Sequence, residues 1–127
     1  MRKQRYLLDT HVLIWLDNDL KRFSRDVLRV LEEAEVIYFS AASAWEISIK
    51  QNLGKIRLVR FVAEYARQNN FLELPVTAFY ADAAAQLPLH HKDPFDRMLV
   101  AQAMQEGLTL VTADRRLAGY GISILQV

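Results

Sequence analysis

The sequence predicts an α/β fold, with a mostly parallel central sheet of about five strands and helices packed on both faces. Three observations carry this reading. Short apolar runs of strand length alternate with longer apolar patterns of helical period, the order that joins parallel strands through crossover helices. The 127 residues match one domain, since domains run to about 100 to 200 residues, so a single domain over 1–127 is expected. Hydrophobic residues at 52% and aromatics at 10% supply enough apolar surface for one buried core and exclude disorder as the main state.

The elements follow in order. Tyr6-Leu7-Leu8 is a strand run ending at Asp9-Thr10, and Val12, Leu13, Trp15 and Leu16 continue at helical spacing from about His11. Ser24 is placed to cap a helix with apolar positions Val27, Leu28, Leu31 and Ala34, and the β-branched and aromatic run Val36-Ile37-Tyr38-Phe39 is the second strand. From Ser40 to Asn52 a helix carries Trp45, Ile49 and Leu53 on one face and stops at Gly54. A helix from about Phe61 to Gln68 and a strand Phe71-Leu72-Glu73-Leu74 closed by Pro75 come next, then a helix capped by Thr77 and ended by Pro88. After the linker Leu89 to Lys92, Asp93 caps the best-punctuated helix of the chain, with Pro94 at its first position and Gly107 at its end. Leu108 to Val111 forms a fourth strand, Arg115 to Leu117 a helical turn, and Ile122 to Leu125 a fifth strand. Trp15, Tyr38, Phe39, Trp45 and Phe95 occupy core spacing and are expected to pack inside.

Composition excludes several function classes. With no cysteine there is no thiol nucleophile, disulfide framework or thiolate metal site. Apolar runs such as Val12 to Leu16 fall short of the ~20 residues that span a bilayer, and the start MRKQRY lacks the apolar region of a signal peptide. A cytoplasmic protein with no membrane partner is expected. Neither GxxxxGK[ST] nor GxGxxG occurs, and four glycines leave no phosphate-cradling loop. The histidines do not suggest zinc: His11 has no partner at ligand spacing, and the adjacent His90 and His91 fall in a loop.

In parallel α/β sheets, sites form beyond the carboxyl ends of strands where the strand order reverses. Asp9 closes the first strand and Asp114 follows the fourth, with Thr10 and Thr112 close by. If those strands are neighbours, the two carboxylates approach each other, and like charges at close range call for a cation. Mg²⁺ or Mn²⁺ suits oxygen donors of this kind. Asp96, in the first turn of the Asp93-capped helix, and Glu46, near the start of the Ser40 helix, are placed to complete the group. Each residue has a plainer explanation. Asp9 and Asp114 could be turn or cap residues, Asp93 and Asp96 fit helix initiation, and Glu46 stands at capping-box spacing from Ser43 and ion-pair spacing from Lys50. Arg97, Arg115 and Arg116 are candidates for a phosphate contact or for surface ion pairs, with ion pairing the default for all three.

The segments LLDTHVLIW, SAASAWEISIK, HKDPFDRMLVAQA and LVTAD, in this order and spacing, resemble a PIN-domain protein of the VapC toxin type. The resemblance runs from Tyr6 to Val127. It implies a three-layer α/β/α fold and places the family's four metal-site acids at Asp9, Glu46, Asp96 and Asp114, with Thr112 and Asp93 in support. It further implies a Mg²⁺- or Mn²⁺-dependent endoribonuclease, acting as the toxin of a toxin–antitoxin pair, held by a small VapB-like antitoxin and usually a homodimer.

Two other readings compete. A phosphoreceiver domain also gathers acids at a sheet edge, but the last strand lacks the lysine it needs. A catalytically silent PIN-like module binding RNA or protein is the alternative, which four intact acids disfavour. The near balance of 16 basic and 15 acidic residues also takes on meaning. With four acids gathered in one pocket, eleven remain against sixteen bases, an excess of five that suits a polyanionic substrate.

Overall fold

In the computed structural model, which describes residues 4–58 and 60–127, all five strands run parallel in the order β3-β2-β1-β4-β5. The start of the N-terminal MRKQRY stretch lies outside the described residues. The strands are β1 (Arg5–Leu8), β2 (Val36–Ser40), β3 (Leu72–Leu74), β4 (Thr109–Thr112) and β5 (Ile124–Gln126). The helices are α1 (Thr10–Asn18), α2 (Arg25–Glu32), α3 (Ala41–Asn52), α4 (Val62–Gln68), α5 (Ala78–Ala85) and α6 (Pro94–Glu106), with 3-10 turns at Leu20–Arg22 and Arg115–Tyr120. Every strand and helix read from the sequence is present, the last strand shifted a little toward the C-terminus. The turn at Leu20–Arg22 was not anticipated, because three residues carry too little period to reveal it.

Strand alternation sorts the core into two layers. Tyr6, Leu8, Phe39 and Val111 face the side covered by α1 to α4, where they meet Val12, Leu13, Ile47 and Tyr65. Leu7 and Leu110 point the other way, against Tyr80, Leu99, Val100, Ala103 and Leu117. This period-2 split on a doubly covered sheet produces the near-continuous apolar strands seen in the sequence.

Capping chemistry sets the helix starts. Ser24 accepts from Val27 N, Ser40 from Ala42 N, and Asp93 from both Phe95 N and Asp96 N, satisfying amide groups that a helix start leaves unpaired. Gly107 ends α6 with φ +65, a left-handed conformation that glycine adopts without strain. The outer face of α3 departs from expectation. Trp45 and Leu53 are 65% and 64% exposed, and the buried positions are Ala42, Ser43, Glu46 and Ile47. The larger residues lost the interior because a polar group, Ser43 with Glu46, faces the sheet edge in their place.

The strand order reverses at β1. The chain runs outward through β2 and β3, then returns to place β4 on the other side of β1, so a crevice opens beyond the carboxyl ends of β1 and β4. Among the described residues no helix is long and apolar enough to cross a membrane.

Candidate active site

Asp9 leaves the end of β1 directly into this crevice. Its backbone N donates to Val111 O at 2.9 Å, extending the β1–β4 pairing by one residue. The carboxylate caps α1 by accepting from His11 N at 2.9 Å, and its other oxygen accepts from the Thr112 hydroxyl at 2.6 Å. Burial pushes this carboxyl up, but the hydrogen bonds from His11 and Thr112 outweigh it and hold Asp9 below its ordinary value. The Thr112 Oγ1 also accepts from Asp114 N at 3.0 Å. One hydroxyl thus ties both strand-end acids to the tip of β4.

Asp114 caps the following 3-10 turn through Arg116 N and receives the Arg116 guanidinium at 3.0 and 2.9 Å. That guanidinium chiefly holds its carboxyl below the usual range. Asp96 behaves in the opposite way. In the first turn of α6, it is pushed up to about 6, foremost by burial and then by the negative charges of Asp93 and Asp9. Glu46, 7% exposed, pairs through Oε2 with Lys50 Nζ at 3.1 Å. Its Oε1 is buried and has no hydrogen-bond partner among the described residues, an arrangement that costs free energy unless something else satisfies the oxygen.

Asp9, Glu46, Asp96 and Asp114 all line one open pocket of about 510 Å³. The four acids singled out in the sequence are therefore brought together, from β1, α3, α6 and the end of β4. Hard oxygen donors, a carboxyl raised by its acidic neighbours and a buried carboxylate oxygen without a partner fit a divalent cation such as Mg²⁺ or Mn²⁺. Asp93 lines the pocket too, although its Oδ1 is occupied with capping α6. The capping-box reading of Ser43 and Glu46 does not hold. Ser40 caps α3, and the buried Ser43 Oγ accepts from Thr10 Oγ1 at 2.9 Å.

Two of the three arginines offered as phosphate contacts, Arg97 and Arg115, are used elsewhere. The Arg97 guanidinium donates to the backbone carbonyls of Ala84, Ala85, Leu87, Pro88 and His91, at 2.9 to 3.5 Å, closing the C-terminal end of α5. Arg115 donates to Gln126 Oε1. The bases that do line the pocket are Arg116 and Lys50, because residues 115 and 116 leave the 3-10 turn in different directions. His91 was also missed. It leaves its loop toward the pocket, with Nε2 at 3.3 Å from Asp96 Oδ2 and 3.4 Å from Asp114 Oδ2. Its position two residues before the Asp93 cap was the available signal. His11 lines the pocket as well, its ring raised in pKa first by the Asp9 carboxylate.

Comparison with known proteins gives the family and the fold. The PIN domain family model matches residues 6–122. Ribonuclease VapC22 of Mycobacterium tuberculosis (strain ATCC 25618 / H37Rv) is 31% identical over 117 residues, covering 90% of this chain and 90% of that protein. The crystal structure of VapBC2 from Rickettsia felis, bound to a DNA fragment from its promoter, superposes with a TM-score of 0.69 at 15% identity, over 97% of this chain and 98% of that one. DNA-bound VapBC from Salmonella typhimurium gives 0.69 at 19% identity, with the same coverage. These two structures share the fold, while the family model spans the residues from the first strand to the edge of the last. A parallel sheet ending in four convergent acids and a family model covering nearly the whole chain lead to one conclusion: the chain belongs to the PIN-domain family.

Proposed function

We propose that the chain is a divalent-metal-dependent endoribonuclease that hydrolyses RNA phosphodiester bonds as the toxin of a VapBC-type toxin–antitoxin pair. The observation that carries the reading is the pocket where Asp9, Glu46, Asp96 and Asp114 converge around a buried, unpartnered Glu46 oxygen. The 31% identity to a ribonuclease supports it. Asp9, Glu46, Asp96 and Asp114 would hold Mg²⁺ or Mn²⁺. When bound, such an ion neutralises phosphate charge and lowers the pKa of an attacking water.

The protein's own part in the chemistry follows from its contacts. The Thr112 hydroxyl, donating to Asp9 Oδ2, fixes that carboxylate at the tip of β1. Arg116 and Lys50 bring positive charge to the rim of an otherwise anionic pocket, where a polyanion must enter. The acids are held before substrate arrives, so little reorganisation is needed. Hydrolysis in this arrangement needs no covalent enzyme intermediate and yields a 5′-phosphate and a 3′-hydroxyl. The chain acts as a single nuclease domain in the cytoplasm, as a homodimer restrained by a small antitoxin. The exposed Phe61, Phe79 and Leu89 supply apolar surface for protein partners.

The test is cleavage of structured RNA by the purified, antitoxin-free chain in Mg²⁺, in Mn²⁺ and in chelator, alongside Asp9→Asn and Asp96→Asn. Cutting is expected only with metal and only in the unsubstituted chain. Cutting that persists in chelator or in both variants overturns the mechanism, and RNA binding without cleavage favours a silent module.

A further inference from the structure

We infer that Trp45 is a substrate-binding residue: its exposed indole, with Phe95 at its side, forms a platform at the rim of the acid pocket on which one unpaired RNA base stacks, next to the phosphodiester held over the carboxylates. This role rests on reading the pocket as a ribonuclease site.

The placement comes from two helix starts. Trp45 directly precedes Glu46 near the start of α3, and Phe95 directly precedes Asp96 in the first turn of α6. Both acids line the pocket, and the two aromatic rings meet edge-on, 5.5 Å between centroids and 66° between planes. Consecutive helix residues stand about 100° apart around the axis, so the aromatic pair borders the pocket without lining it. Phe95 is half-buried and steadies the indole, whereas Trp45 is 65% exposed, so the edge contact leaves most of that ring in water. Stacking on such a ring tolerates any base, because every base has a π face, and it contributes about 5- to 150-fold in affinity per base.

The surroundings of the ring favour a nucleotide over a protein partner. Lys50 and Arg116 line the adjoining pocket, and Lys92, next to the Asp93 cap, is exposed, which puts positive charge where the phosphates flanking a stacked base run. The exposed residues that follow Trp45 one and two turns along α3, Ser48 and Asn52, are polar, and the exposed Leu53 stands about 12 Å farther along the axis. One aromatic pair in polar and cationic surroundings matches the size of one base. A protein interface instead buries about 800 Å² on each partner around an apolar centre.

The test uses the full chain with Asp9→Asn, so that RNA is held in Mg²⁺ without being cut, and with Trp15→Phe, which leaves Trp45 as the one tryptophan. A short oligo(A) RNA is expected to quench the Trp45 fluorescence, and an abasic chain of the same length is expected not to. In filter binding, Trp45→Ala and Trp45→Leu should hold oligo(A) about 5- to 150-fold more weakly, with an unchanged salt dependence because no phosphate contact is lost, and Trp45→Phe should recover most of the loss. With Asp9 restored, Trp45→Ala should raise KM and leave kcat nearly unchanged, since a stacked base is bound alike before and during the reaction. Thermal melts identify any variant that has lost its fold, and Leu against Phe decides the matter if Ala does not fold. Trp45→Leu as tight as the parent, equal quenching by the abasic chain, or a Trp45→Ala protein whose mass in sedimentation falls while its RNA affinity holds overturns the inference, the last in favour of a protein interface. Cleavage by the parent with an unchanged KM in Trp45→Ala overturns it alone and leaves the nuclease reading standing, whereas a parent that neither binds nor cuts RNA in Mg²⁺ or Mn²⁺ overturns both.

Discussion

Thr112 donates its hydroxyl to Asp9 Oδ2 at 2.6 Å, joining residues 103 apart in sequence at the tips of two adjacent strands. Both side chains are buried, so this bond is shielded from competing water. Thr112→Val keeps the shape and removes the donor, leaving a buried carboxylate oxygen unpaired at a cost of roughly 1–3 kcal/mol. Chemical denaturation should register that loss, and Thr112→Ser should recover most of it. Metal affinity measured in the same variants should fall with Val and hold with Ser.

Burial, and then the neighbouring charges of Asp93 and Asp9, push Asp96 up to about 6. In chelator at neutral pH, Asp96→Asn is therefore expected to melt at a higher temperature than the parent, because it removes a buried charge that only a cation offsets. Adding Mg²⁺ should raise the melting temperature of the parent and leave the variant nearly unchanged. A variant less stable than the parent in chelator would contradict this account of the pocket.

Arg97 serves structure. Arg97→Lys keeps the charge but cannot reach five carbonyls with a planar fork, so a loss of about 2 kcal/mol is expected. The salt dependence of RNA binding should stay the same. Arg116→Ala should do the reverse, flattening that salt dependence with little change in stability, since each phosphate contact adds to the slope. Filter binding across a salt series separates the two arginines.

Tyr80 donates to Glu106 Oε2 at 2.7 Å, and that bond, with burial, pushes its hydroxyl up to about 12. The unfolded value lies near 10, so its contribution to stability is complete below about pH 10 and is lost as pH rises through about 12. Spectrophotometric titration should show one tyrosine ionising late, and Tyr80→Phe should remove that step. The variant should also show a flatter decline in stability over the same pH window.

On α3, Ile47 is 1% exposed and Trp45 is 65% exposed. Ile47→Ala is expected to cost about 2–5 kcal/mol through the cavity it leaves. Trp45→Ala should cost less than about 1 kcal/mol in the isolated chain, because it gives up mainly an edge contact with Phe95 at 5.5 Å. Equilibrium unfolding of the two variants tests which face of α3 is the inner one.

The strand and helix order was legible because each element carries its own period and punctuation, as Asp93-Pro94 and Gly107 do for α6. The four acids were legible because strand ends and helix starts fix where a side chain emerges, even before strand neighbours are known. Helix α3 misled because its sequence places Trp45 and Leu53 on one stripe and Ser43 and Glu46 on another. Hydrophobicity alone selects the first stripe, and a polar pocket at the sheet edge selects the second. The role of Arg97 was beyond reach for another reason. Its partners are backbone carbonyls, and such groups leave no trace in residue identity. Arg97 and Arg116 look alike in the sequence, yet one closes a helix end and the other faces the pocket.

The placement of β4 beside β1 also governs when the acid pocket can exist. Asp9 and Asp114 emerge from paired strands that are separated in the chain by β2, β3 and the six helices α1 to α6. An unfolded chain carries every acid but has no assembled pocket, because no local segment holds Asp9 and Asp114 together. The pocket and the native topology therefore arrive in the same step.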